Sequence, residues 1–281
     1  MFPCNRRSED DHEEFKQQIM KSVDSNSLKF DMPPLGINPK EFVKTHFGPG
    51  AKNFQFAKGT TTLAFLYEPK TENDVGGVVI AVDSRASSGE YISSKTVMKI
   101  IPINDHMVAT MAGGAADCQF WTRIVAKYCN LFELREKSEI SVRAASKYMA
   151  NVLYQYRGHG LAVYSMVCGV DKRGPAIFQV DSDGTRLPTR VCSVGSGSLN
   201  AYGIMDTYYK PKMTDEEALS LGRRAIMHAT YRDAGSGGNC NVVHITPKGK
   251  TVYPSMDVSE MYYKFAEEIG RDIAFEPKND Q

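Results

Sequence analysis

The hydrophobic and polar positions of this chain form a regular series of strand-like and helix-like segments that begins after Gly59. Four short segments rich in β-branched and apolar residues predict strands over residues 60–67, 75–83, 91–101 and 107–111. Short strands in succession favour antiparallel pairing. The polar, turn-rich segment between the first two strands predicts an exposed hairpin loop.

Two helices are predicted next, because apolar residues recur at spacings of three and four. The first covers residues 115–136, and the second begins after Ser141, whose hydroxyl can cap it. The pattern then returns to strands, and we expect these to form a second antiparallel sheet. They cover residues 161–170, 176–181 and 189–195.

The last part of the chain predicts two more helices and a hairpin. Thr214 and Glu217 have the spacing of a capping box for a helix that runs towards Tyr231. The segments NVVHIT and KTVYP predict a hairpin, and Asp257 is suited to cap a final helix. Since each sheet must bury an apolar face, this order predicts an α+β fold. We expect a four-layer αββα sandwich of two antiparallel sheets flanked by helices.

Residues 1–59 differ in character from the rest of the chain. They hold five of the thirteen prolines and show little periodicity, which predicts a loosely structured leader. The first residues contain no uninterrupted apolar core of the kind a secretory signal needs, and no run of eighteen apolar residues occurs anywhere. We therefore expect neither export nor a membrane span.

Composition excludes several classes of function. A formal net charge of +1 argues against nucleic acid or a membrane surface as a partner. Six cysteines are scattered without a C-x-x-C pair, which favours reduced thiols, and six histidines lack metal-ligand spacing. We expect no metal and no cofactor.

The candidate chemistry begins at the tetrad of Gly59 and Thr60 to Thr62, where the leader gives way to the first strand. Cleavage before Thr60 would expose a threonine whose own α-amino group, with a pKa of ~7.7 to 8.0, can take the hydroxyl proton. Glycine before the nucleophile permits backbone conformations that are closed to other residues. Taken alone, the tetrad is also an ordinary strand beginning.

Seven longer motifs from Gly59 onwards together resemble those of a known protein family. They are GTTTLAF, VVIAVDSRASSGEYISSKTVMKI, ATMAGGAADCQFW, ISVRAASKYMANVLYQYRG, VCGVDKRGPAIFQVDSDG, SVGSGSLNAYG and ATYRDAGSGG. In this order they resemble the catalytic β subunits of the eukaryotic proteasome, and among these the beta type-5 class. The resemblance implies the fold of the N-terminal-nucleophile hydrolases.

The resemblance implies a propeptide over residues 1–59, its removal by self-cleavage between Gly59 and Thr60, and a catalytic domain over residues 60–281. It also implies chymotrypsin-like cleavage of unfolded or ubiquitin-targeted proteins without a cofactor. The implied partners are the other α and β subunits of a particle of stacked heptameric rings, in the cytoplasm and nucleus.

The catalytic residues of the family carry over onto matching positions. Thr60 is the implied nucleophile. Lys99 in TVMKI would stabilise the developing alkoxide, and Asp83 in VDSRA would hold that ammonium in place. A supporting set around the terminal amine is implied as well: Ser196, Asp233 and Ser236.

The resemblance also places an oxyanion donor and a specificity pocket. Gly113 lies at a strand-to-helix junction, where its backbone N–H is suited to bind a tetrahedral oxyanion. The glycine runs MAGGAAD and GSGSLNAYG lack the full dinucleotide pattern, so we reject a nucleotide site. The implied pocket residues are all apolar, which predicts a preference for large hydrophobic side chains before the scissile bond. They are Ala86, Val97, Ile101, Met111 and Ala115.

One segment departs from the family pattern. The loop YEPKTENDVGG between the first two strands is several residues longer than the family usually has, and we expect it to project outwards. It is either a tolerated surface insertion or a contact for a neighbouring subunit.

Two other functions of the chain remain open. The alternatives to a protease are a non-catalytic ring subunit and an unrelated amidase that acts without a ring.

Overall fold

The computed structural model describes residues 59–88 and 91–268. The predicted leader before Gly59 lies outside the described residues. The strands, in chain order, are β1 (Thr62–Pro69), β2 (Gly77–Val82), β3 (Ala86–Ser88), β4 (Tyr91–Ser94), β5 (Ile100–Asn104), β6 (Met107–Thr110), β7 (Ala112–Gly113), β8 (Val163–Asp171), β9 (Gly174–Asp181), β10 (Arg186–Thr189), β11 (Val191–Val194), β12 (Lys212–Met213), β13 (Asn239–Thr246), β14 (Gly249–Val252) and β15 (Met256–Asp257). The helices are α1 (Ala115–Glu136), α2 (Val142–Gln155), α3 (Ser198–Tyr208), α4 (Asp215–Arg232) and α5 (Val258–Glu268).

Most strands belong to two sheets with antiparallel main ladders. The first sheet has the order β11-β1-β2-β13-β14, with β12 parallel to the end of β1 and β15 paired with β13. The second has the order β10-β9-β8-β6-β5, with β7 on β8. Strands β3 and β4 form a separate two-stranded antiparallel sheet.

Three apolar layers hold the sandwich together, because successive strand residues point to opposite faces of their sheet. Ala64 and Ile80 of the first sheet pack with Met166 of the second, so these residues lie between the sheets. Their neighbours Leu63 and Phe65 belong to the layer shared with α3, α4 and α5. A third layer joins the second sheet to α1 and α2. The predicted four-layer αββα sandwich is confirmed.

One strand joins a different sheet from the one predicted. We expected residues 189–195 to belong to the second sheet. Residues 191–194 pair with β1, with Val194 opposite Thr62, and not with β8 and β9. Strands β5 and β6 instead complete the second sheet. Local periodicity shows which face of a strand is apolar, and it does not show which sheet the strand joins.

Two further predictions need correction. The predicted strand over residues 91–101 is interrupted: β4 ends at Ser94 and β5 begins at Ile100. The segment SLNAYGIMDTY, for which no helix was predicted, forms α3 and buries Ala201 and Met205. The interruption leaves residues 95–99 outside both strands, beside the candidate site.

The long β1–β2 loop has an exposed tip and a fixed base. Residues 68–73 are exposed. Asp74 accepts hydrogen bonds from Thr71 N at 2.8 Å and from Asp215 N, at the start of α4, at 3.0 Å. Asp215 in turn accepts from Tyr67 Oη at 2.6 Å and from Val75 N at 3.2 Å. Both carboxylates therefore lie where the positive end of the helix dipole favours them.

Across the described residues, we find no helix with the length and apolar character that a membrane span requires.

Candidate active site

Asp83 lies at the end of β2, where its side chain is fully buried. Its carboxylate accepts hydrogen bonds from the backbone N–H groups of Thr61 and Gly237, each at 2.9 Å, and of Arg85 at 3.2 Å. The Lys99 ammonium completes this set at 2.7 Å. A buried carboxylate needs such partners to remain charged, so these bonds fix both the position and the charge of Asp83.

Lys99 precedes β5, and only 2% of it is exposed. Its Nζ donates to three oxygens: Asp83 Oδ1 at 2.7 Å, Thr60 Oγ1 at 2.9 Å and the Gly59 carbonyl at 2.9 Å. Burial lowers the pKa of this ammonium, and the negative charge of Asp83 opposes that shift. Burial likewise raises the pKa of Asp83, against the hydrogen bonds it receives. A lysine with a lowered pKa releases its proton more readily.

The Thr60 hydroxyl lies against the peptide bond that joins Gly59 to Thr60. Thr60 Oγ1 donates to the Gly59 carbonyl at 2.5 Å. Gly59 has a φ of +145°, and a Cβ at this position would lie 2.3 Å from the carbonyl oxygen of Gly235. Glycine is therefore required on both conformational and steric grounds.

A chain of hydroxyl and carboxylate groups lies on the other side of Thr60. The Thr60 backbone N–H donates to Ser196 Oγ at 3.2 Å, and Ser196 Oγ donates to Asp233 Oδ2 at 2.7 Å. Ser236 Oγ donates to the same carboxylate oxygen at 2.5 Å and lies 2.7 Å from Thr61 Oγ1. The carboxylate of Asp233 therefore reaches the Thr60 nitrogen through the Ser196 hydroxyl.

A pocket opens beside Thr60 and Lys99. Four of the five sequence-predicted pocket residues line it, together with Gly113 and Arg85. These four are Ala86, Val97, Met111 and Ala115. Ile101 is not among the residues that line it, and like Val97 and Ala115 it packs against the apolar layer of the second sheet and α1 and α2. Gly113 has a φ of +101°, and a Cβ there would lie 2.4 Å from the Ala162 carbonyl oxygen, which favours glycine at this position.

Sequence reasoning missed several residues that the fold brings to this site. Thr61 contacts both Asp83 and Ser236. The Arg85 guanidinium donates to the Ala234 carbonyl at 3.1 Å. A Cβ on Gly197 would lie 2.0 Å from Thr61 Oγ1, so a larger residue there would displace the Thr61 hydroxyl from Ser236. The feature of the sequence that could have identified these residues is their position close to Thr60, Asp83 and Ser196 in the quoted motifs.

The part of the chain that the structure describes holds no group of three or more His, Cys, Asp or Glu side chains arranged to bind a metal ion. Its cysteines are free and buried: Cys118, Cys129, Cys168, Cys192 and Cys240.

Comparison with known proteins identifies the family. A family model described as "Proteasome subunit" matches residues 56–245. The chain is 66% identical over 263 residues to "Proteasome subunit pbs-5" of Caenorhabditis elegans, with 93% of each chain covered. It is 48% identical to "Proteasome subunit beta type-5" of Dictyostelium discoideum, covering 85% of this chain and 86% of the relative. It is also 48% identical to human "Proteasome subunit beta type-8", with 83% of each covered.

The matches cover both the strand that follows Thr60 and the segments that carry the other polar residues of the site. The chain therefore belongs to the proteasome subunit family, as a catalytic β subunit of the type-5 class, a threonine endopeptidase with chymotrypsin-like activity that is processed from a propeptide.

Proposed function

We propose that Thr60 is the nucleophile of two successive reactions, self-cleavage after Gly59 and then hydrolysis of peptide substrates. One observation carries this proposal: Thr60 Oγ1 lies 2.5 Å from the Gly59 carbonyl oxygen, and Lys99 Nζ lies 2.9 Å from both atoms. A nucleophile, the bond it attacks and a proton-carrying group are thus together before cleavage.

In self-cleavage, the Thr60 oxygen attacks the carbonyl carbon of Gly59. Lys99 donates to the carbonyl oxygen that becomes negative, and this stabilises the tetrahedral state. When the C–N bond breaks, the Thr60 nitrogen takes the proton that the hydroxyl gave up, and an ester joins Gly59 to Thr60 Oγ1. Water then hydrolyses the ester, which releases residues 1–59 as a propeptide and leaves a free amine on a catalytic domain of residues 60–281.

In peptide hydrolysis, the new amine takes the proton of the Thr60 hydroxyl as its oxygen attacks, and the Lys99 ammonium stabilises the negative charge that develops on that oxygen. Ser196 contacts the Thr60 nitrogen and is itself held by Asp233. Ser236 donates to the same carboxylate. We assign these three residues to holding the amine in its reactive position, as a third group orients the base of a catalytic triad. The Gly113 N–H is the proposed donor to the substrate oxyanion.

The pocket beside Thr60 is proposed to receive the substrate side chain that precedes the scissile bond. Its small walls at Ala86 and Ala115 leave depth, and Met111 adapts its shape to a bulky group. A cationic side chain would lose its hydration there and would meet the like charge of Arg85. Large hydrophobic residues are therefore preferred. Ile101, the fifth residue of the predicted pocket, packs against the same apolar layer as Val97.

Replacing Met111 with lysine is expected to shift cleavage away from hydrophobic sites. Met111 is 3% exposed, so an ammonium at this position would be buried at the pocket wall. We expect kcat/KM for large hydrophobic residues to fall by about tenfold or more, the equivalent of at least ~1.4 kcal/mol. A fluorogenic peptide panel measures the shift, with Met111→Leu as the volume-matched control. An unchanged preference would refute the pocket assignment.

As a proteasome subunit, the chain assembles with other subunits of that particle. We propose that it does so in stacked heptameric rings of α and β subunits, in the cytoplasm and nucleus. Its proposed substrates are unfolded and ubiquitin-targeted polypeptides.

Intact-mass measurement and N-terminal sequencing test the proposed cleavage. In particles from the native source, the wild-type chain is expected to begin at Thr60, whereas Thr60→Ala is expected to retain the leader. The alanine variant keeps the Gly59 backbone and removes only the hydroxyl and methyl groups. A wild-type chain with its leader attached inside a full-sized particle would instead support an architectural role.

A further inference from the structure

Ser84 lies between Asp83 and Arg85, and only 1% of it is exposed. Its hydroxyl donates to the Lys95 carbonyl and accepts from Asn239 N at 2.8 Å. Its backbone N–H donates to the Gly237 carbonyl at 3.1 Å, and its carbonyl accepts from Val97 N at 2.9 Å.

These four bonds join two segments that flank the candidate active site. One is residues 95–97, which follows β4 and carries the pocket residue Val97. The other is residues 237–239, which leads into β13. The junction is close-packed, because a Cβ on Gly238 would lie 2.6 Å from both Ser84 Oγ and the Lys95 carbonyl oxygen. Ser84 thus fixes the distance between the two segments.

The segment over residues 95–98 depends on such an anchor because it belongs to neither adjacent strand. Lys95, Thr96 and Met98 are exposed, so little burial restrains them. Two of the segment's backbone groups, Lys95 O and Val97 N, bond to Ser84. Removing the Ser84 hydroxyl would leave Lys95 O and Asn239 N without this partner.

Lys99 is anchored differently from Val97. Its ammonium bonds directly to Asp83, and its carbonyl accepts from Met111 N at 2.9 Å. Neither bond involves Ser84. Movement of residues 95–97 would therefore change the pocket wall more than it changes the groups around the Thr60 hydroxyl.

We propose that Ser84 is a positioning residue for the specificity pocket, which acts by holding Val97 at the pocket wall. The inference rests on the pocket assignment made under the proposed function. Ser84 would then affect peptide hydrolysis alone, whereas Thr60 and Lys99 act in both self-cleavage and peptide hydrolysis. Self-cleavage needs Thr60 and Lys99 but no side chain in the pocket, whereas hydrolysis of a peptide substrate needs both.

The test compares Ser84→Ala with wild type in assembled particles. We expect KM for peptides with a large hydrophobic residue before the scissile bond to rise by about tenfold, as expected for a lost buried hydrogen bond. We expect kcat to change by less than about twofold, because Asp83 and Lys99 keep their contacts. The N-terminus of the variant should still be Thr60.

Ser146→Ala is the matched control. Ser146 is also fully buried and its hydroxyl also bonds to a backbone carbonyl, that of Arg143, but it lies on α2 away from the pocket. This variant should show wild-type KM and kcat. A Ser84→Ala variant whose kcat falls with unchanged KM, or whose kinetics match the wild type, would overturn the proposal.

A double-mutant cycle with Val97→Ala tests whether Ser84 acts through Val97. If it does, the rise in KM of the double variant will be smaller than the product of the two single rises; independent effects would contradict the mechanism. Ser84→Cys keeps the shape of the side chain and weakens its hydrogen bonds, so it provides the readout if Ser84→Ala fails to assemble. An assembled Ser84→Cys chain with wild-type KM would then overturn the proposal.

Failure of the proposed function has a separate signature. For the pocket, it would appear as an unchanged cleavage preference of Met111→Lys, and for the nucleophile as an activity of Thr60→Ala equal to that of wild type, whatever Ser84 does.

Discussion

Lys99→Ala is expected to lower kcat/KM for hydrophobic peptides by about 10³-fold or more and to leave the leader attached. Lys99 Nζ is bonded both to the Thr60 hydroxyl and to the Gly59 carbonyl, so its loss removes one group from two reactions. The magnitude follows from the loss of one proton-transfer group that also stabilises the oxyanion. The variant would also leave Asp83 buried without its ammonium partner.

Three measurements separate catalysis from folding. Recovery of the variant in full-sized particles shows that the subunit folds, N-terminal sequencing reports self-cleavage, and peptide hydrolysis reports activity. Lys99→Arg is informative because arginine keeps the charge but does not release its proton, and its planar group does not reproduce the position of Nζ. We expect it to be inactive too. Lys70→Ala removes an exposed lysine paired with Glu217 and should behave as wild type. A processed and active Lys99→Ala chain would exclude Lys99 from the mechanism.

Gly59→Ala is expected to block self-cleavage almost completely. The new Cβ would lie 2.3 Å from the Gly235 carbonyl oxygen, and the φ of +145° is one that alanine rarely adopts. The backbone must therefore move, and this takes the Gly59 carbonyl away from the Thr60 hydroxyl and from Lys99. A displacement of about 1 Å at a reacting centre is enough to cost ~10²-fold in rate. Intact mass at fixed times after synthesis measures the retained leader.

Gly203→Ala is the control for this substitution. Gly203 lies in α3, and a Cβ there meets nothing within 4 Å. This chain should process at the wild-type rate. A second control supplies Thr60 with a free amine by removing the leader through a different protease site. Full peptidase activity in that chain would show that Gly59 acts in processing alone. Normal processing of Gly59→Ala would contradict the close contact with Gly235.

Local sequence rules predicted most elements because those rules depend on neighbouring residues. The capping box at Thr214 and Glu217 is present, with Glu217 N donating to Thr214 Oγ1 at 3.1 Å. Ser141 likewise accepts from Ala144 N at the start of α2. The same rules missed α3. The segment before this helix is rich in turn-forming residues, and the apolar stripe of the helix itself is short. The break at residues 95–99 was missed because a β-rich composition does not show where pairing stops.

The amino-acid sequence by itself determined the family, the four-layer class and the residue types of the site, because motif order and periodicity are properties of the linear chain. Only the tertiary structure decided which strands share a sheet and which distant groups meet. Ser196 contacts Thr60 across 136 residues, and Asn239 contacts Ser84 across 155. Such contacts depend on how whole layers pack, and a local pattern contains no information about that packing. The exclusion of Ile101 from the pocket and the burial that lowers the Lys99 pKa have the same origin.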